Sequence, residues 1–316
     1  MPKTSNGVHY EERGSGPETI VLLPGLGCSL RCWSEVAPLL DGYRLVLMDL
    51  PGHAGSLHAP ADGSSLGRIA GTVLDACDQL GLERFALVGL SFGGALSVRI
   101  ALDRPGRVSA VMAFMPWNAG GTEAGDPVIE EFHASFRDVE AVTRAIGAMS
   151  LEPSRTTDVV HTMTSAVTEQ FWRSWLGTGG GAYTSMFEEL SGIAVPVCYV
   201  LGGRDTVAPQ DKLIADVRAM PGGRLVLLSD AGHLAPYEAP EPVAREIREF
   251  LGRHANRPSP GAGSTPGSSP PHGRAGSDLL RYPPSSIGLR RCPSVSAGRR
   301  RDNGHGCGAV MTPVPD

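Results

Sequence analysis

Short apolar runs alternate with amphipathic runs along most of the chain, and this alternation predicts strands separated by helices. Gly, Pro, Asn or Asp residues bound most of the apolar runs. Strands that alternate with helices form a mostly parallel sheet, with helices covering both of its faces. The runs predict strands at residues 8–13, 19–23, 44–48, 84–88, 108–114, 195–201 and 224–228.

Helical spacing is clearest at residues 66–79, where Ile69, Val73, Leu74 and Cys77 recur on one face. Further helices are predicted at 33–40, at 92–102 and at 242–251. The helix at 92–102 should end before Pro105, because the residue before a proline is disfavoured in helical geometry.

Residues 116–192 interrupt the alternation, since they contain no convincing buried strand. Helical patterns occur instead at 127–149, 156–176 and 183–190. An all-helical stretch between two strands predicts a cap over the strand ends. We therefore predict a core of residues 1–115 and 193–253 with a helical cap of residues 116–192.

Residues 254–316 differ in composition, being rich in Pro, Gly, Ser and Arg with neither helical nor strand periodicity. Such a segment buries too little apolar surface to offset its ordering entropy, so we predict a disordered tail. Its arginine run 299–301 is either a solvated charge cluster or a site for an acidic partner. The abrupt change is also compatible with a non-native or frame-shifted C-terminus.

Charge and composition exclude several classes of function. The net charge is −5, but the tail holds eight Lys and Arg against three acids, so the preceding part is near −10. This acidity argues against binding nucleic acid, which requires clustered cations. No apolar run is long enough for a membrane span, and no secretory signal precedes residue 8, which predicts a cytoplasmic protein with reduced thiols. The cysteines lack metal-site spacing, so we expect no metal.

One motif carries candidate chemistry, because the strand at 84–88 runs into a Gly-x-Ser-x-Gly and then into the helix at 92–102. This arrangement is typical of a nucleophile elbow, in which a strained turn presents a serine, here Ser91. Side chains at Gly89 or Gly93 would collide where strand and helix cross. The motif alone is a weak signal, since glycine and serine often meet in loops.

A serine nucleophile requires a general base and an orienting acid, and two strand ends downstream supply them. Asp205 follows the strand at 195–201, and His233 follows the strand at 224–228. Loops at the carboxyl ends of parallel strands share one rim, so Ser91, Asp205 and His233 should meet there. Asp230 is a rival acid that we consider less favourable, because it does not follow a strand of its own as Asp205 does.

Taken together and in order, four motifs over residues 7–252 resemble the α/β-hydrolase fold superfamily, in its capped serine esterase and enol-lactonase-like branch. The resemblance implies a mostly parallel sheet with helices on both faces and a helical cap inserted after the sixth strand. It also implies a Ser-His-Asp triad without a cofactor. The motifs are Gly89-Leu90-Ser91-Phe92-Gly93, residues 203–209 around Asp205, residues 231–238 around His233, and residues 49–56.

The resemblance further implies an oxyanion hole formed by the backbone N–H groups of Phe92 and Leu26. Pro24 stands where the family often has histidine, which is tolerable because the donor is a backbone amide. Asp49 and His53 are interpreted as structural rather than catalytic. We expect Met115, Trp117, Trp172 and Leu234 to line the substrate pocket, although apolar pocket walls and apolar core look alike in sequence.

These features predict a serine hydrolase that cleaves a small, mainly apolar carboxylic ester, thioester or lactone through an acyl-enzyme. The same triad also serves C–C hydrolases, lyases, peptidases and cofactor-free perhydrolases, and a non-catalytic ligand receptor is a further alternative. The expected partner is a small molecule, and the oligomeric state stays open.

Overall fold

A seven-stranded sheet forms the centre of the protein, for which a computed structural model describes residues 2–254. The strand order is β1-β3-β2-β4-β5-β6-β7, with β1 antiparallel to β3 and every other pairing parallel. The predicted fold class is confirmed. The strands are β1 Tyr10–Arg13, β2 Glu18–Leu23, β3 Tyr43–Met48, β4 Phe85–Leu90, β5 Val108–Phe114, β6 Val197–Gly202 and β7 Arg224–Leu228.

Both faces of the sheet are buried, which explains why the central strands are apolar at most positions. Along β2, Val21 and Leu23 enter one core while Ile20 and Leu22 enter the other. Helices therefore cover both sides of the sheet. Five of them lie outside residues 116–192, which contain α3 to α6: α1 Leu66–Gln79, α2 Phe92–Asp103, α7 Gln210–Ala219, α8 Ala235–Glu238 and α9 Pro240–Gly252.

Helix α1 has its predicted bounds because Ser65 caps it, its side chain accepting a hydrogen bond from the N–H of Arg68. The helix predicted at 33–40 is wrong. Two 3-10 turns, Leu30–Trp33 and Ala37–Leu39, replace it. Pro38 accounts for the break, since it has no N–H to donate and its ring crowds the preceding turn.

The predicted helical stretch, residues 116–192, lies between β5 and β6, and we call it the insertion. It follows the fifth strand of the described sheet, not the sixth as predicted. The predicted helix at 127–149 divides in two where Arg137 adopts φ 63° and Asp138 caps the next helix. The helices are α3 Pro127–Ala134, α4 Val139–Met149, α5 Thr157–Ser165 and α6 Glu169–Leu176, and 3-10 turns at Gly181–Tyr183 and Phe187–Gly192 replace the helix predicted at 183–190.

The tail predicted at residues 254–316 lies outside the described residues, apart from His254. Within residues 2–254, no helix combines the length and apolarity needed to cross a bilayer.

Gly93 tests the close approach of α2 to the end of β2 and to the loop that follows it. A Cβ atom there would lie 2.4 Å from the carbonyl oxygen of Pro24 and 2.5 Å from that of Leu23. Since backbone cannot move aside cheaply, Gly93→Ala should lower the free energy of unfolding by about 3 kcal/mol or more. Chemical denaturation would measure it.

Gly71 provides the matched control, because it lies in α1 and a Cβ there meets no atom within 4 Å. Gly71→Ala should stabilise the protein by ~0.5–1 kcal/mol through helix propensity. If Gly93→Ala were as stable as Gly71→Ala, the close approach at Gly93 would be refuted.

Candidate active site

The turn between β4 and α2 holds Ser91 in a strained conformation, with φ 49° and ψ −113°. Such values are costly for a residue with a side chain and persist where the surroundings impose them. The N–H of Ser91 donates to the carbonyl of Phe114 at 2.8 Å. A Cβ at Gly89 would lie 2.2 Å from the carbonyl oxygen of Gly93, so both glycines are needed as the motif predicts.

The structure brings Ser91, His233 and Asp205 together from three different strand ends. The Nε2 atom of His233 lies 3.0 Å from the Ser91 Oγ, and its Nδ1 atom lies 2.9 Å from Asp205 Oδ2. The histidine side chain is 8% exposed and the carboxylate 1%. A buried carboxylate at Nδ1 favours the tautomer that leaves Nε2 free to accept the serine proton.

Asp205 is held as a carboxylate. Burial by itself would raise the pKa of Asp205, but the hydrogen bond and charge interaction with His233, together with two backbone N–H bonds, outweigh it. The other oxygen, Oδ1, accepts N–H bonds from Val207 at 2.7 Å and Ala208 at 3.2 Å. The net effect lowers the pKa below the usual range, which keeps the negative charge available to an imidazolium.

The alternative candidates lie elsewhere. Asp230 is exposed and accepts a hydrogen bond from Ser229, and His233 faces Asp205 instead. His53 is fully buried, with Nδ1 bonded to the Pro51 carbonyl, and burial lowers its pKa to about 4. Asp49 accepts the N–H groups of Leu30 and Gly55, which organises two loops.

Of the two backbone amides predicted for the oxyanion hole, one belongs to Phe92, directly after the serine, and the other to Leu26, in the loop after β2. Phe92 is the first residue of α2, and its N–H has no partner among the hydrogen bonds of residues 2–254. The same holds for the N–H of Leu26. The loop carrying Leu26 approaches the serine closely, because a Cβ at Gly25 would lie 3.5 Å from Ser91 Cβ. Unpaired amides beside a nucleophile are suited to a developing oxyanion.

A cavity of about 200 Å³ opens onto Ser91 and His233. Met115, Trp117 and Leu234 line it as predicted. Trp172 does not line it, contrary to the prediction. This side chain packs against Phe132 and Phe136 and donates its indole N–H to the carbonyl of His133.

The insertion supplies much of the cavity wall, a contribution that the sequence did not identify residue by residue. Its side chains are mostly apolar, and Lys212 of α7 is the single Lys or Arg among the lining residues of the described chain. Its ammonium group pairs with Glu123 at 3.0 Å. From the insertion, Ile129, Phe132, Ile146, Met149, Val159, Met163 and Leu176 line the cavity.

Within residues 2–254, no group of three or more His, Cys, Asp or Glu side chains is placed to hold a metal ion. The reactive groups that the structure brings together at the site are a serine hydroxyl, an imidazole and a carboxylate.

The chain is similar to several known proteins. The model of the alpha/beta hydrolase family matches residues 20–246. The chain is 30% identical over 262 residues to the dihydrolipoyllysine-residue acetyltransferase component of the acetoin cleaving system of Cupriavidus necator. That match spans 78% of this chain and 66% of the relative.

Two further likenesses span almost the whole of the matched protein. A 2-hydroxy-6-oxononadienedioate/2-hydroxy-6-oxononatrienedioate hydrolase of Burkholderia vietnamiensis is 30% identical over 264 residues, 78% of this chain and 91% of the relative. The solved enol-lactonase of Burkholderia xenovorans LB400 superimposes with a TM-score of 0.67 at 24% identity. It covers 78% of this chain and 96% of its own, and at this identity the likeness concerns the fold.

Proposed function

The chain belongs to the alpha/beta hydrolase family, and from this premise we propose that Ser91, His233 and Asp205 hydrolyse a small, mainly apolar carboxylic ester, thioester or lactone. The observation that carries the proposal is the continuous hydrogen-bonded chain from Ser91 Oγ through both nitrogens of His233 to Asp205. A serine activated in this way attacks carbonyl carbon.

In the proposed reaction, Ser91 Oγ attacks the substrate carbonyl while His233 Nε2 takes its proton. The N–H groups of Phe92 and Leu26 stabilise the oxyanion of the tetrahedral intermediate. The intermediate collapses as His233 returns the proton to the departing alcohol or thiol, leaving an acyl group on Ser91. Water, deprotonated by His233, then releases the acid and restores the serine.

The cavity supports an apolar substrate of limited size. A dry cavity of ~150 Å³ holds a benzene molecule, so about 200 Å³ accommodates an apolar group of roughly eight carbons. The methionine, isoleucine and phenylalanine side chains of the insertion surround this space. We propose on this basis that the insertion acts as a cap that selects the substrate.

C–C bond hydrolysis is the second candidate, because the relative from Burkholderia vietnamiensis is named for a dienedioate. Such a substrate carries two carboxylates, and burying them requires cationic partners. Lys212 is the lone Lys or Arg lining the described cavity, and Glu123 already pairs with it. The lining therefore supports neutral esters over dianions.

A panel of substrates distinguishes ester hydrolysis from C–C bond hydrolysis. We expect kcat/KM for p-nitrophenyl butyrate and hexanoate to exceed that for the hexadecanoate by about tenfold or more, since a sixteen-carbon chain exceeds the cavity of about 200 Å³ and crowding a packed wall costs about 1–3 kcal/mol. Steady-state kinetics with the Ser91→Ala variant as background would measure this. Faster turnover of an oxo-dienedioate than of every ester would favour C–C hydrolysis instead.

A further inference from the structure

Glu238 ends α8, the short helix that directly follows His233, and its carboxylate reaches back to the loop before the histidine. Oε2 accepts a hydrogen bond from the N–H of Gly232 at 2.6 Å. Oε1 accepts one from the N–H of Leu151, in the insertion, at 2.9 Å. One carboxylate therefore joins the residue before the proposed base to the segment that follows α4.

The side chains of Glu238 and Leu151 pack closely against Gly232. A Cβ atom at Gly232 would lie 3.0 Å from Glu238 Oε2 and 3.1 Å from Leu151 Cγ. The carboxylate and the leucine side chain thus cover this glycine. Bonds from backbone N–H groups to a carboxylate are shorter and stronger than neutral ones, so they restrain the backbone more firmly.

The same loop also contacts the end of β6. The N–H of Gly203 donates to the Leu228 carbonyl at 2.8 Å, and that of Arg204 donates to the Ala231 carbonyl at 3.0 Å. These bonds tie the loop before His233 to the segment carrying Asp205. Glu238 adds to them a restraint from α8 and from the insertion.

We propose that Glu238 is a positioning residue, which holds the backbone before His233 so that the imidazole stays between Ser91 and Asp205. This inference rests on the proposed function, because it assigns Glu238 a role in that triad. Catalytic groups need placement within about 0.5 Å, and a 1 Å error costs about 10²-fold in rate. The second bond, to Leu151, makes the same restraint depend on the insertion.

Tyr237 offers a matched control within the same helix. Its hydroxyl donates to Asp158 Oδ2 of α5 at 2.8 Å, which is also a tie to the insertion. Among the described hydrogen bonds, however, the Tyr237 side chain makes none to the loop before His233. Tyr237→Phe therefore removes a tie between α8 and the insertion and leaves the Gly232 bond intact.

The test measures kcat and KM for p-nitrophenyl butyrate, the rate of Ser91 labelling by a fluorophosphonate, and the thermal unfolding midpoint. Glu238→Ala should lower kcat and the labelling rate about 30- to 100-fold with KM changed less than about threefold. Glu238→Gln keeps one acceptor and should fall between Glu238→Ala and wild type. Tyr237→Phe should retain kcat within about threefold, even if its unfolding midpoint falls as far as that of Glu238→Ala.

Glu238→Gln decides the question if Glu238→Ala does not fold. A folded Glu238→Gln that labels and turns over at the wild-type rate would overturn the assignment. So would equal kcat losses in Tyr237→Phe and the Glu238 variants, since those would reflect stability alone. Failure of the proposed function has a different signature, namely wild-type protein that resists labelling or a Ser91→Ala variant that labels.

Discussion

Ser91→Ala should abolish turnover of p-nitrophenyl butyrate, with kcat falling ~10⁶-fold, and should eliminate labelling by a fluorophosphonate. The reason is chemical, because no other hydroxyl or thiol of the described residues accepts a hydrogen bond from, or donates one to, His233 Nε2. Alanine also removes the atom on which the proposed acyl-enzyme would form. Burst kinetics and intact-protein mass spectrometry would measure both effects.

Ser97→Ala is the matched control for that experiment. Ser97 lies in α2, the helix that follows Ser91, and is fully buried. Its hydroxyl donates to the Gly93 carbonyl at 2.7 Å instead of facing the imidazole. The variant should label and turn over as wild type does. Labelling that survived in Ser91→Ala and vanished in Ser97→Ala would contradict the assignment of the nucleophile.

Asp205→Asn should lower kcat about 10⁴-fold with little change in KM. Val207 and Ala208 donate N–H bonds to Oδ1, so they would hold the amide oxygen of the new asparagine. Its NH₂ group would then face Nδ1 of His233 as a donor. This forces the proton onto Nε2, and the imidazole can no longer accept the proton of Ser91. Steady-state kinetics would check this.

Asp230→Asn provides the corresponding control, since Asp230 is three residues from His233 in sequence yet exposed. It should keep kcat within about twofold, as surface substitutions usually do. If the Asp230 variant lost activity and the Asp205 variant did not, the acid would be misassigned. Circular dichroism of both variants would show whether either effect comes from unfolding.

The architecture could be predicted from the sequence because its signals are local. The central strands are apolar on both faces, and helix α1 carries both a capping serine and a regular buried face. The prediction of a helix at 33–40 was wrong for an equally local reason, since the effect of Pro38 outweighed the apolar spacing.

The residues of the candidate site also fall into two groups, those that the sequence located and those that it did not. Ser91, Asp205 and His233 each follow a strand, so parallel topology alone places them on one rim. Trp172 could not be placed, because an aromatic side chain in a pocket wall and one packed on Phe136 have the same sequence signature. Glu238 gave no signal of its role, since its partners are backbone amides.

The mixed origin of the cavity wall has an evolutionary consequence. The side chains of the proposed triad follow strands of the sheet, whereas Ile146, Met149 and Val159 line the same cavity from the insertion. Substitutions at these three positions would change which ligands fit the cavity and would leave the proposed triad unchanged. Changes around Leu151 and Asp158 are more restricted, because both residues are hydrogen-bonded to α8, the helix that follows His233.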